Sequence, residues 1–127
     1  MRGKRVAIVG VGNVGSSVAY SLVMSGACHE VMLRANNVDK AKGIALDLSQ
    51  ASQAARKHTI VTVAETLEDV KDCDVIVITA GSPRLPGMSR DDLLVKNASI
   101  MKELMSSIKV TSPDAIIIPV SNPLDAM

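Results

Sequence analysis

Short aliphatic runs alternate with helical patterns along the whole chain. Runs rich in branched aliphatic residues predict five strands, at positions 5–9, 30–33, 59–63, 74–79 and 115–120. Apolar residues at helical spacing predict three helices between them, at 14–24, 38–50 and 91–110, with a short turn and helix near 66–71. Strands that alternate with helices form βαβ units, so the pattern predicts an α/β fold with a parallel sheet.

The third predicted helix has the clearest boundaries. Ser89 and Asp92 have the spacing of a capping box, and Pro113 follows the last helical turn. Neither an internal repeat nor a linker interrupts the chain. We therefore expect residues 1–127 to form one domain.

The composition narrows the class of protein. The chain has 127 residues, 47% of them hydrophobic, which is enough for a packed core. Tyr20 is the only aromatic residue, so the interior must be aliphatic, as in a buried parallel sheet. The net charge of +1 comes from mixed signs, and this pattern does not favour nucleic acid as a partner.

The length of the apolar runs and the use of cysteine indicate the cellular compartment of the protein. No run approaches the roughly 20 apolar residues of a membrane span, so we expect no membrane insertion. Cys28 and Cys73 do not make a disulfide framework, and we expect both to be reduced and at least partly buried. No cluster with metal-ligand spacing is evident. These features predict a cytoplasmic protein without a metal site.

A glycine-rich turn, Gly10-Val11-Gly12-Asn13-Val14-Gly15, lies directly after the first strand and opens the first helix. This is the G-x-G-x-x-G pattern in its required context. Gly10 permits a tight turn, Gly12 leaves room for a pyrophosphate, and Gly15 allows close packing of helix and strand. The turn therefore predicts dinucleotide binding on a Rossmann-type doubly wound sheet with strand order 3-2-1-4-5.

The end of the second strand departs from this pattern. An acidic residue is usual there, about 20 residues on, to bind the adenosine ribose. Here the chain has Arg34 and Ala35, and the first carboxylate is Asp39. Arg34 could pair with a 2′-phosphate, which would admit NADP in addition to NAD. Alternatively, Arg34 faces solvent and a following asparagine, Asn36 or Asn37, serves the ribose; both interpretations stay open.

A loop after the fourth strand carries Arg84 and Arg90 among glycine and proline residues. Ligands bind at this edge of doubly wound sheets, and guanidinium groups on a closable loop suit carboxylates. The segment 78–94, ITAGSPRLPGMSRDDLL, and the segment 120–127, VSNPLDAM, closely resemble the active-site loop and Asn-Pro motif of the lactate/malate dehydrogenase family. With the glycine turn, this resemblance covers the whole chain.

The resemblance implies roles for individual residues. Arg90 would close over the substrate and polarise the reacting carbonyl, and Arg84 would pair with the second carboxylate of malate or oxaloacetate. Asn122 would hydrogen-bond the substrate, which is compatible with an Asx turn before the next proline. Val120 and Asn97 would contact the cofactor, although Asn97 could also be an ordinary polar helix residue.

The family's catalytic histidine, its aspartate partner and a further arginine belong to a second half of the fold. His29 and His58 precede the second and third strands, so we expect ordinary surface histidines. We expect a fragment of a longer enzyme, inactive alone and forming a homodimer or homotetramer when complete. The leading hypothesis is an NAD(P)-dependent malate dehydrogenase. The alternatives are a stand-alone dinucleotide-binding module and a lactate or other 2-hydroxy acid dehydrogenase.

Overall fold

The computed structural model describes residues 3–122 and residue 127. Strands and helices alternate along it, as the hydrophobic pattern predicts. In chain order the elements are β1 (Arg5–Val9), α1 (Asn13–Ser25), β2 (Glu30–Arg34), α2 (Val38–Ala54), β3 (Ile60–Val63), a 3₁₀ helix (Leu67–Asp69), β4 (Val75–Ile78), α3 (Arg90–Thr111) and β5 (Ile116–Pro119).

The five strands form one parallel sheet in the order β3-β2-β1-β4-β5. The predicted fold class and strand order are confirmed. One predicted helix boundary is wrong, because α2 does not end at Gln50 but continues to Ala54. The extension contains Ser52, which is buried and donates a hydrogen bond from Oγ to the backbone oxygen of Thr59 at 3.2 Å. A buried serine of this kind is indistinguishable from a loop residue in the sequence alone.

The core lies on both faces of the sheet. Alternate residues of β1 point to opposite faces, as the two-residue period of a strand requires. Val6 and Ile8 pack with α1 and α2, while Ala7 and Val9 pack with residues of α3. Helices therefore cover both sides, and the carboxyl ends of the central strands are left as the open edge.

A polar network joins strands near the opposite, amino-terminal edge. Arg5 Nε donates to Glu30 Oε2 at 2.6 Å, and Thr62 Oγ1 donates to Glu30 Oε1 at 2.7 Å. Arg5 NH1 also donates to the backbone oxygen of Lys71 at 3.0 Å. The Arg5 side chain is thus part of the sheet's own polar network.

Both cysteines are buried free thiols. Burial raises the pKa of the Cys28 thiol, and burial is also the main cause that raises the pKa of Cys73. The protonated thiols therefore behave as small apolar side chains. In the described part of the chain, no helix is both long and apolar enough to cross a membrane.

Candidate functional site

The candidate site lies where the carboxyl ends of β1, β2, β4 and β5 meet. Two clefts flank the glycine turn there. The first, of about 670 Å³, extends from Gly10 and Gly12 to the β2–α2 turn and α3. The second, of about 500 Å³, extends from Gly12 and Gly15 to the ends of β4 and β5. The glycine turn therefore lies between two adjoining clefts.

Gly10 makes the sharp exit from β1. Its φ is +108°, a conformation that residues with a side chain rarely adopt. Its N–H donates to the backbone oxygen of Arg34 at 2.8 Å, and its own oxygen accepts from Thr79 Oγ1 at 2.7 Å. The turn is thereby attached to both neighbouring strands.

Gly12 and Gly15 meet different surroundings. A Cβ on Gly15 would lie 1.8 Å from the backbone oxygen of Gly10, so only glycine allows this helix to approach β1. A Cβ on Gly12 would meet no atom within 4 Å, because the position faces the clefts. Gly12 caps α1 without any side-chain hydrogen bond, which leaves the helix N-terminus to an anion from outside. The turn fits a pyrophosphate.

Arg34 is the last residue of β2, paired with Val9, and it lines the first cleft. It does not face solvent freely. Its NH1 donates to the backbone oxygens of Ala35 at 2.5 Å and Glu65 at 3.1 Å. Asn37 caps α2, with Oδ1 accepting from the Lys40 N–H at 3.1 Å. Of the two asparagines considered for the ribose, Asn37 is thus already engaged through its side-chain oxygen, and Asn36 lines the first cleft.

The loop between β4 and α3 brings the predicted substrate residues together. Arg84, Arg90 and Asn122 line one pocket of about 300 Å³ together with Leu93. Arg84 Nε donates to the backbone oxygen of Met88 at 3.0 Å, which folds the loop back on itself. Both arginines are exposed in this open arrangement. The remainder of the Asn-Pro motif, residues 123–126, lies outside the described residues.

Arg90 begins α3, and the predicted capping box precedes it. Ser89 Oγ accepts from the Asp92 N–H at 3.0 Å, and Asp92 Oδ2 accepts from the Ser89 N–H at 3.1 Å. These bonds hold the first turn of the helix in a defined place. The guanidinium of Arg90 therefore extends from a helix end whose first turn is held by two side-chain hydrogen bonds.

Unlike an ordinary polar residue on the surface of a helix, Asn97 is buried and hydrogen-bonded to two other segments of the chain. It is only 3% exposed, on the wall of the second cleft. Its Oδ1 accepts from the Ser82 N–H at 2.8 Å, and its Nδ2 donates to the Asn122 backbone oxygen at 2.6 Å. A further bond runs from Nδ2 to the Ser82 oxygen at 3.4 Å. One amide therefore joins the loop between β4 and α3 to the chain just after β5.

The other predicted cofactor residues also lie on these clefts. The first is lined by Val11 and Ala35, and the second by Asn13, Val14 and Val120. His29 and His58 precede β2 and β3, at the amino-terminal edge, and both are exposed. The structure thus brings the predicted site residues to one edge of the sheet and leaves both histidines at the other.

Three polar residues of the site were not predicted. Thr79 holds the oxygen of Gly10, and Ser121 Oγ donates to the Ala80 oxygen at 2.5 Å. Lys40 lies on the wall of the first cleft. The signal for Thr79 and Ser121 was their place just after β4 and β5, at the edge where doubly wound sheets bind ligands. Lys40 gave no sequence signal beyond its charge.

The fold and the glycine turn define a dinucleotide-binding domain of the Rossmann type. A family described as lactate/malate dehydrogenase, NAD binding domain, matches residues 4–127. The chain belongs to this family.

Several malate dehydrogenases are similar to the chain in sequence. That of Sulfurimonas denitrificans is 65% identical over 126 residues, and that of Nitratiruptor sp. is 52% identical over 127 residues. Each match covers 99% of this chain but only 40% of the relative. The chain thus spans well under half the length of the relatives it matches.

Solved structures of both branches of the family share the fold. Malate dehydrogenase from Cryptosporidium parvum matches with a TM-score of 0.86 and 32% identity, over 98% of this chain and 39% of that one. Lactate dehydrogenase from Eimeria maxima, solved with NADH and oxamate, matches with a TM-score of 0.89 and 33% identity, over 98% and 38%. Similarity of the backbone alone therefore does not separate malate dehydrogenases from lactate dehydrogenases.

Proposed function

We propose that this chain is the cofactor-binding part of an oxidoreductase that interconverts malate and oxaloacetate with NAD or NADP. The observation that carries the proposal is the single pocket lined by Arg84, Arg90 and Asn122, which adjoins the second cleft beside the glycine turn. Two guanidinium groups in one small pocket suit a small dicarboxylate. The malate dehydrogenase name of the most similar relatives supports the same substrate.

Each residue has a defined part in the proposal. Arg84 pairs with the carboxylate that malate has and lactate lacks. Arg90 extends from the start of α3 and polarises the reacting carbonyl. Asn122 donates a hydrogen bond to the substrate from its side-chain amide. An arginine left unpaired in a closed pocket would cost several kcal/mol, so a monocarboxylate is disfavoured.

The cofactor would be held by the glycine turn from Gly10 to Gly15, by Arg34 and Ala35 at the adenosine end, and by Val120 and Asn97 near the substrate pocket. The nicotinamide, when bound, supplies the hydride acceptor for C2 of malate. Hydride removal also requires a group that takes the hydroxyl proton. Since His29 and His58 lie at the opposite edge, we propose that a separate substrate domain supplies it.

Two alternatives make different demands on the same residues. A lactate or other 2-hydroxy acid dehydrogenase has no second carboxylate for Arg84 to bind. A stand-alone dinucleotide-binding module needs the glycine turn but has no use for Arg84 and Arg90 in one pocket. The paired arginines therefore favour malate over both.

The substrate assignment predicts the effect of Arg84→Gln in the longer protein that carries this domain. We expect kcat/KM for malate oxidation to fall about 100-fold, or about 2.7 kcal/mol, because the pairing partner of one carboxylate is lost. The preference for malate over lactate should shrink with it. Steady-state rates of cofactor reduction with each acid measure both quantities.

Arg56→Gln is the matched control, since Arg56 is exposed and lies after α2, outside the described walls of both clefts and the substrate pocket. Its kinetics should equal those of the unmodified protein. An unchanged malate preference in Arg84→Gln would show that Arg84 does not select the substrate.

Tyr20 on α1 and Leu46 on α2 are more than half exposed, at 53% and 59%. We propose a homodimer or homotetramer of the longer protein, in which these two side chains are candidates for the subunit contact. A monomeric mass for the longer protein in sedimentation velocity at micromolar concentration would contradict this assembly.

The free buried thiols of Cys28 and Cys73 favour a reducing, cytoplasmic compartment.

A further inference from the structure

We infer that Arg34 and Lys40 form a subsite for the 2′-phosphate of NADP(H), so that the chain binds the phosphorylated dinucleotide more tightly than NAD(H). The inference rests on the proposed dinucleotide function and specifies its ligand. It follows from the hydrogen-bonding groups that the β2–α2 turn presents to the first cleft.

The position of Arg34 is the first observation. It ends β2 beside Val9, and its backbone oxygen accepts from the Gly10 N–H of the glycine turn. This is the strand end where a carboxylate ordinarily accepts hydrogen bonds from the adenosine ribose. A guanidinium at this position is a donor only and cannot accept from a ribose hydroxyl.

The neighbouring acceptors are the second observation. The Ala35 oxygen accepts from Arg34 NH1, and Asn37 Oδ1 accepts from the Lys40 N–H. Two acceptors at the turn are therefore already in use, and Asn36, which also lines the cleft, adds one side-chain amide. The charged groups that the turn offers to a ligand are the remaining Arg34 donors and the Lys40 ammonium group. Such a donor set suits a phosphate, which accepts hydrogen bonds, better than a hydroxyl.

The third observation is that hydrogen bonds to the backbone hold the Arg34 side chain in place. Its NH1 bridges the Ala35 and Glu65 oxygens at 2.5 Å and 3.1 Å, so the guanidinium is held in place before a ligand arrives. The side chain is half-buried, and both Arg34 and Lys40 line the 670 Å³ cleft. Preorganised donors lose less conformational freedom on binding, which favours affinity.

The β2–α2 turn places no carboxylate on the described wall of the cleft. Asp39 follows the turn but is absent from the described cleft wall. Glu65 forms an ion pair with Lys42, Nζ to Oε1 at 2.9 Å. Glu103 does line the cleft, and it comes from α3, not from the β2–α2 turn. The charges that the turn itself presents to the cleft are therefore positive.

The test measures dissociation constants of the chain for NADH and NADPH by calorimetry, together with AMP and adenosine 2′,5′-diphosphate, which lack the nicotinamide. We expect the 2′-phosphorylated member of each pair to bind at least tenfold more tightly. Arg34→Asp should reverse the order, and Lys40→Ala should reduce the preference severalfold. Raising the salt concentration should weaken the preference, because charge pairing at an open site is screened.

Arg56→Asp makes the same change of charge outside the cleft and should leave the preference intact. Equal or tighter binding of NADH in the unmodified chain, or a preference that survives Arg34→Asp, would overturn the subsite while leaving the dinucleotide function in place. Failure of all four ligands to bind would instead overturn the dinucleotide function and the subsite with it.

Discussion

Gly15→Ala is expected to abolish tight dinucleotide binding and to destabilise the fold by about 3 kcal/mol or more. The added methyl carbon would lie 1.8 Å from the Gly10 oxygen and 2.8 Å from Thr79 Oγ1. The first contact is with backbone, so no side-chain rotation relieves it. Helix α1 must move away from β1, and the turn that faces the pyrophosphate moves with it. Urea unfolding and calorimetric titration with NADH and NADPH measure the two effects.

Two other glycines are the matched controls for this substitution. Gly43→Ala, inside α2 where a Cβ would meet no atom within 4 Å, should stabilise the fold by about 0.5–1 kcal/mol and leave binding unchanged. Gly12→Ala should change stability by less than about 1 kcal/mol yet weaken binding at least tenfold, because its methyl group enters the clefts.

The three variants thus separate folding from ligand binding. If Gly15→Ala unfolded at the same urea concentration as the unmodified chain, the close packing assigned to Gly15 would be wrong. If Gly12→Ala bound dinucleotides normally, the pyrophosphate would not lie against Gly12.

Asn97→Ala is the second substitution with a large expected effect, about 2–3 kcal/mol of lost stability. The variant deprives the Ser82 N–H and the Asn122 oxygen of a buried partner, and alanine supplies nothing in return. The loop with Arg84 then loses its connection to the end of β5. In the longer protein we expect kcat/KM for malate to fall more than 100-fold, with KM rising.

If Asn97 positions the loop between β4 and α3, its loss should affect malate more than the dinucleotide. General destabilisation of the fold would affect both ligands equally. The dissociation constant for the dinucleotide should change less than KM for malate, because Asn97 is one of many residues proposed to hold the cofactor, whereas it fixes the loop that carries Arg84. Lys96→Ala, at the exposed neighbouring position of α3, should change neither. Equal losses for cofactor and malate would contradict a specific role for Asn97 in placing the substrate loop.

The fold could be predicted because its signals are local. The branched aliphatic runs, the helical spacing between them and the glycine turn each specify one element, and the strand order follows from connecting them by βαβ units. The capping box at Ser89 and Asp92 also depends on neighbours in the chain, and the structure contains it. The residues at the sheet edge could be named for the same reason, since they come directly after strands.

Partners that are distant in sequence could not be predicted. The sequence indicated a cofactor contact or an ordinary polar helix residue at Asn97, and it gave no sign that the amide bonds to Ser82 and Asn122. Thr79 gave no signal of its bond to Gly10. A hydrogen-bonding side chain has the same spacing in the sequence whether it faces water or a buried backbone group.

The sequence by itself determined the doubly wound sheet and the glycine turn after β1, together with the position of two arginines on one loop after β4, because periodicity and glycine spacing act over a few residues. Only the tertiary structure decided that Arg84, Arg90 and Asn122 share one pocket, and that the Ala35 oxygen and Asn37 Oδ1 beside Arg34 are already engaged. These facts depend on which strand ends meet and on which polar groups satisfy one another there. Hydrogen-bond partners of that kind exist only once the chain has folded.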